Sequence, residues 1–278
     1  MKDIKVILGD TINGPMLYLP NDAYVGRSLD LYGEFSKGEQ EFFAFAAQKG
    51  GAAIDVGANL GAHSMLMAKR YEHLFAFEPQ PPLYKLLKGN LSTFLNTTTY
   101  NAACSNDEGL LWLPELNYGE ANNFGGIGRE CLDGFSEEQR KGIPMIKIQS
   151  RMLDRCNDIQ AVDKISLIKV DVEGMEREVL EGARQTIAKH QPILYVENDK
   201  PTHSKALVDY IYNTLAYRAW WHITWLYNPA NYKHNAKNVF PNIASYNLIC
   251  VPEGHWVTVQ NAKVCSPADP SLPEGCVA

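Results

Sequence analysis

The residues best placed to do chemistry cluster around one glycine turn. In Ile54-Asp55-Val56-Gly57-Ala58-Asn59-Leu60-Gly61-Ala62-His63-Ser64 two glycines follow an apolar run and precede helix-forming sequence. In that context a glycine turn carries meaning: missing side chains let the backbone bend and lie against a ligand, and the next helix points its free amides toward it. Glu78 stands at the end of the following apolar run, seventeen positions after Gly61. A carboxylate there can accept hydrogen bonds from both hydroxyls of a ribose.

Two nucleoside ligands fit such a pattern. A dinucleotide calls for Gly-x-Gly-x-x-Gly, but Asn59 holds the second glycine position, Ser64 holds the third, and the acid Asp55 would repel a pyrophosphate. S-adenosyl-L-methionine has no phosphate and ends in cationic groups, for which Asp55 is an asset. The pattern therefore favours S-adenosylmethionine, with a nicotinamide cofactor or a purely structural turn as the competing readings.

Further candidates lie downstream. Asp171 and Glu173 close the apolar run Ile165 to Val172, and strand alternation predicts that both carboxylates face one way. One would meet the cofactor's ammonium while the other acts as base or orients an acceptor hydroxyl; alternatively Glu173 is a helix N-terminal acid held by the dipole. Glu197, at the end of the next apolar run, would complete an acidic pocket. His63, just after the glycine turn, is a candidate base or cofactor contact, with a capping or packing role as its alternative. No residue set is assigned to a metal, although Asn198 and Asp199 beside Glu197 leave a divalent cation open.

These residues need elements to position them. Apolar runs at 52–56, 74–77, 97–103, 165–172 and 192–196 alternate with helical patterns at 62–70, 84–95, 175–190 and 206–216. Strand-helix-strand alternation at this spacing predicts an α/β fold with a doubly wound, mostly parallel sheet. Two short strands, 4–8 and 16–19, come first. A helix then opens at Ser36, paired with Glu39 as a capping box. The polar interval 117–128 reads as a mobile loop, and strand-like stretches recur at 245–251 and 256–259. The expected organisation is an N-terminal strand and turn addition over 1–35, a core over 36–260 whose aromatic part (219–260) faces the acceptor, and a tail over 261–278. Trp220 to Tyr246 suits stacking on sugar rings, or else packing as an extra layer or homodimer interface.

The chain has 278 residues, 45% hydrophobic and 21% charged, with a net charge of −6. That is enough to build a sizeable core, and it argues against a protein made to neutralise nucleic-acid phosphates. No run is long and apolar enough to suggest a membrane span or a leader, and the six cysteines show no metal-like spacing. Cytoplasmic residence with reduced thiols is expected.

The motifs, taken together and in order, resemble the FkbM family of S-adenosylmethionine-dependent methyltransferases. Asp55 through Ser64 is similar to its first motif, Phe77-Glu78-Pro79-Gln80-Pro81 to its second, and Asn101-Ala102-Ala103 to the segment flanking the adenine. Ile168-Lys169-Val170-Asp171-Val172-Glu173-Gly174-Met175-Glu176 resembles its most specific signature, and Tyr32-Gly33-Glu34 with Glu39 its entry segment. The resemblance implies a Rossmann-like class I fold with seven strands and helices on both faces. It also implies methyl transfer to a hydroxyl of a small molecule or glycan, with a carbohydrate or polysaccharide precursor favoured by the residues from Asn228 to Leu248. It places Tyr32, Glu34, Asp55, Gly57, Ala58, Asn59, Gly61, His63, Ser64, Glu78, Pro79, Gln80, Asn101, Ala102 and Asp171 at the cofactor. The chemistry would fall to Asp171, Glu173, His63 and Glu197.

Overall fold

A computed structural model describes residues 4–127, 144–255, 259 and 262–273. Ile7–Gly9 (β1) and Met16–Tyr18 (β2) pair as an antiparallel hairpin, followed by helices Val25–Tyr32 (α1) and Lys37–Ala46 (α2). The alternating core begins with Ala52–Val56 (β3), Ser64–Arg70 (α3), Leu74–Phe77 (β4), Pro81–Asn90 (α4) and Thr97–Tyr100 (β5). Ala103–Cys104 (β6), Gly109–Pro114 (β7) and Met145–Arg151 (β8) form a separate three-stranded sheet. The core resumes with Asn157–Gln160 (α5), Ile165–Val170 (β9), Glu176–Glu181 (α6), Arg184–His190 (α7), Ile193–Glu197 (β10) and Pro201–Asn213 (α8). It closes with Tyr217–Trp225 (β11), Ala244–Pro252 (β12) and Val264–Cys265 (β13).

The main sheet runs β13-β11-β12-β10-β9-β3-β4-β5, parallel from β5 through β10, with β12 inserted antiparallel between β10 and β11. This is the doubly wound α/β architecture, with eight strands rather than seven because the two-residue β13 extends the edge beside β11. From β3 the chain first winds outward to β4 and β5, then returns to β9 and β10 on the other side. The reversal leaves a crevice at the carboxyl ends of β3 and β9, where ligands of such sheets collect.

Alternation along the strands sorts side chains onto two faces. Ala53 and Leu167 join the core beneath α2, α3 and α4 with Phe43, Met67 and Leu87; Ile54, Val56 and Ile168 join the opposite core with Leu180, Ile187 and Val208. Every residue of β3 and β9 is buried, the pattern of central parallel strands covered on both sides. Two of these buried residues are charged, Asp55 and Lys169, and they are register partners on adjacent strands.

The single helix expected over 175–190 is two, α6 and α7. The aromatic segment at 217–225 is a full strand of the sheet. Trp221 is buried with its indole nitrogen donating to the Ser271 carbonyl, and Trp225 is exposed. The interval expected to be mobile is anchored as far as residue 127. Asn122 bridges to Asp22, Phe124 is fully buried, and the Tyr118 hydroxyl donates to Gln80 at 2.5 Å. Gly128, Cys131, Cys276 and most of the strand expected at 256–259 lie outside the described residues. No helix among the described residues is long and apolar enough to cross a membrane.

Candidate active site

A cavity of about 560 Å³ opens over the carboxyl ends of β3, β4, β9 and β10, a size suited to a nucleoside-sized ligand. Gly57, Ala58 and Asn59 line its floor. Gly57 has φ +77, and a Cβ there would lie 1.8 Å from the Asp171 carbonyl oxygen. The glycine thus allows the turn to close against the loop that carries Asp171.

Glu78 lies across the turn and is buried. Its Oε2 accepts from the Asn59 amide at 2.9 Å and its Oε1 from the Gln80 amide at 2.8 Å. Burial pushes this carboxyl up to about 7, although the two amides and Lys169 pull it down. Each oxygen keeps a second acceptor position, so a diol can be bound without displacing either amide. Pro79, Gln80 and Ala102 continue this wall. These contacts fit the ribose and adenine end of S-adenosylmethionine.

Several predicted cofactor residues lie elsewhere. The Tyr32 hydroxyl donates to the Lys237 carbonyl and accepts from the Val239 amide. Glu34 accepts from Asn228 Nδ2 and the Tyr232 amide, so both side chains fasten the segment after β11 rather than lid the cavity. Asn101 donates to the carbonyls of Glu78 and Pro79 and braces the strand end. Gly61, with φ +93, accommodates Leu87 of α4, whose Cδ1 would be 2.9 Å from an added Cβ.

Asp55 and Ser64 sit beneath the floor. Asp55 is fully buried; its Oδ2 accepts from the Ser64 hydroxyl at 2.5 Å, and its Oδ1 lies 3.2 Å from Lys169 Nζ. The chain itself therefore neutralises Asp55, and its role is to order the turn. Lys169 also reaches Asp171 Oδ2 at 3.2 Å. Burial disfavours its charge, but Asp171, Asp55 and Glu39 more than compensate and hold its ammonium above the ordinary lysine range.

At the other end of the cavity Asp171, Glu173 and Glu197 bring carboxylate oxygens within 4.8 Å of one another. The cause of this convergence is not strand alternation, because β9 ends at Val170. The loop turns at Glu173 (φ +55) and Gly174 (φ +101), and Glu176 Oε1 holds it by accepting from the amides of Val172 and Gly174. The acids in the first helical turn are accordingly Glu176 and Glu178, not Glu173. Burial, reinforced by the charge of Asp171, pushes Glu173 up to about 7, and burial with the neighbouring acids pushes Glu197 well above the usual range. Three such oxygens could hold a divalent cation. Lys200 already supplies positive charge, 2.9 Å from Glu173 and 2.6 Å from Asp199.

His63 lines the cavity, and its Nε2 lies 3.2 Å from Glu39 Oε2. Glu39 is expected to form a capping box with Ser36 and to belong to the entry segment of the family resemblance. It is a buried wall residue whose Oε1 takes the Ser36 hydroxyl at 2.8 Å, the Thr224 hydroxyl at 3.3 Å and Asn247 Nδ2 at 3.4 Å. Tyr246 and Asn247 of β12 also line the cavity, whereas Trp220, Trp221 and Trp225 do not.

A crevice at the strand-order reversal, a glycine turn and a buried acid at the end of β4 are the features of a Rossmann-like S-adenosylmethionine-dependent methyltransferase domain. More narrowly, the chain belongs to the FkbM methyltransferase family, whose model (methyltransferase FkbM domain) matches residues 55–219. It is 28% identical over 151 residues to the 2-O-methyltransferase NoeI of Sinorhizobium fredii, covering 52% of this chain and 61% of that protein. It is 29% identical over 153 residues to the hexuronic acid methyltransferase AglP of Haloferax volcanii, covering 52% and 56%. The chain thus spans about three-fifths of the length of these curated relatives. Among solved structures, Trm5b of Pyrococcus abyssi aligns with a TM-score of 0.46 at 13% identity, over 90% of this chain and 56% of that one.

Proposed function

We propose that this protein transfers a methyl group from S-adenosylmethionine to a hydroxyl of a carbohydrate or of a glycolipid or polysaccharide precursor. The observation that carries the reading is the single cavity joining the glycine turn and Glu78 to a polar far end of Asp171, Glu173, Glu197, Ser245, Tyr246 and Asn247. Gly57 to Asn59, Glu78, Ala102 and Asp171 would hold the donor, which supplies an activated methyl on a sulfonium. The acids beyond it suit that positive charge. Hydroxyl, carboxylate and amide groups at the far end suit a polyol. The names of the relatives agree: one is a 2-O-methyltransferase and the other a hexuronic acid methyltransferase.

Calorimetry with S-adenosylhomocysteine, followed by transfer of labelled methyl to a panel of neutral glycosides, uronates, glycolipids, small alcohols and peptides, tests the proposal. Binding with methylation of a glycoside is expected. Methylation of a peptide or a simple alcohol but no carbohydrate would replace the acceptor class, and preference for NAD over S-adenosylhomocysteine would overturn the whole reading.

A further inference from the structure

The polar wall at Glu39 is more elaborate than a packing role requires. Glu39 is 3% exposed, yet it receives donors from the loop before α2, from β11, from β12 and from His63. The Ser36 and Thr224 hydroxyl oxygens also lie 3.0 Å apart, so their two protons and the Asn247 amide hold the Oε1 side of the carboxylate, Thr224 donating either to it or to Ser36. Oε2 is left for His63. The imidazole packs against the rings of Phe35 and Phe43, at centroid distances of 5.4 and 5.3 Å. Its other nitrogen, Nδ1, is buried and has no hydrogen-bond partner among the described residues. A buried polar atom without a partner costs free energy unless a ligand satisfies it.

A carboxylate beside Nε2 needs a donor, so the proton of a neutral imidazole belongs on Nε2 and Nδ1 is left with a free lone pair. Burial alone would push the Glu39 carboxyl up. The hydrogen bond and charge of His63, together with Ser36 and Lys169, outweigh burial and hold it at about 2. Glu39 is therefore held as a carboxylate beside the imidazole, ready to stabilise an imidazolium. Other titratable groups packed around the pair are Lys169 from β9, Tyr195 from β10 and His222 from β11, and the last two bond each other at 2.8 Å.

We infer that His63 Nδ1 is the base that takes the proton of the acceptor hydroxyl, and that Glu39 is the positioning residue that fixes its tautomer. As the acceptor oxygen bonds to the methyl carbon, the carbon–sulfur pair stays on sulfur as a neutral thioether. The hydroxyl proton passes to Nδ1, and the imidazolium later returns it to solvent. The arrangement follows the logic in which an acid orients an imidazole that deprotonates a hydroxyl. The inference rests on the methyltransferase reading of the cavity.

The first test needs no acceptor. Long-range nitrogen–proton NMR on histidine-labelled protein, with and without S-adenosylhomocysteine, should show the neutral His63 imidazole as the Nε2–H tautomer, and Glu39→Gln should mix or invert the tautomers. A neutral Nδ1–H form in the wild type, or an imidazolium persisting to pH 9, overturns the inference. The second test uses a p-nitrophenyl hexoside, or whichever compound of the glycoside panel accepts methyl. His63→Asn should lower turnover by about a hundredfold or more, the usual weight of a general base, with S-adenosylhomocysteine affinity within about threefold. Glu39→Gln should lower kcat about tenfold or more with KM little changed, and Glu39→Asp should restore much of the rate. Full turnover in His63→Asn, or full kcat in a folded Glu39→Gln, refutes the base while leaving donor binding and methyl transfer intact.

Discussion

Glu78 makes a sharp prediction because its environment sets its charge within the experimental range. Its carboxyl lies at about 7, raised chiefly by burial. A diol donating two hydrogen bonds favours the ionised form, and bonds to a charged group contribute about 1.5–3 kcal/mol each. With that pKa about one-tenth of the free protein is ionised at pH 6 and about nine-tenths at pH 8, so affinity for S-adenosylhomocysteine should rise about tenfold, roughly 1.4 kcal/mol, over that interval. The stability of the free protein runs the other way. A carboxyl raised above its unfolded value contributes stability that is fully present below about 4.5 and is lost as pH rises through about 7. Calorimetric titrations at pH 6, 7 and 8 on the wild type and on Glu78→Gln measure the effect. The variant should bind about ten- to a hundredfold more weakly at pH 8, as expected for one lost charge-assisted bond, and with no pH slope. Glu173 and Glu176 also lie near 7 and are retained in the variant. A slope that survives in Glu78→Gln, or a flat wild type, would therefore refute the assignment of the ribose to Glu78.

Other parts of the site give equally direct outcomes. Lys169→Met should destabilise the fold by about 3–5 kcal/mol, since it strands Asp55 without a countercharge, and thermal denaturation will show it. Gly57→Ala should cost more than the ~1–2 kcal/mol of a left-handed alanine, because its Cβ would collide with the Asp171 carbonyl; loss of S-adenosylhomocysteine binding in any folded fraction is the readout. Treatment with EDTA should leave methyl transfer unchanged, because Lys200 already pairs with Glu173 and Lys169 with Asp171, and abolition of activity restored by added Mg²⁺ would show a metal there instead.

How much of this was readable beforehand depends on whether a residue acts through its backbone position or through the direction of its side chain. Periodicity and glycine spacing are backbone properties, and they led correctly to the doubly wound sheet, the crevice at β3 and β9, and the place of Glu78 at the end of β4. Tyr32 and Glu34 were carried to the site by motif position, but partners more than 190 residues downstream, among them Asn228, Tyr232 and Val239, capture their side chains. Glu39 was misplaced for the opposite reason. Its spacing from Ser36 satisfies a local rule, and the Ser36 hydroxyl does donate to it, yet its other partners come from β11, β12 and His63 just after the glycine turn. Lys169 carried a usable signal. A lysine inside the otherwise apolar run from Ile165 to Val170 cannot be left uncompensated in a central strand. Asp55 is the matching acid in the neighbouring central strand, so the two charges together predict a buried pair beneath the turn. That pairing neutralises Asp55 within the chain, beneath the turn rather than in the cavity above it.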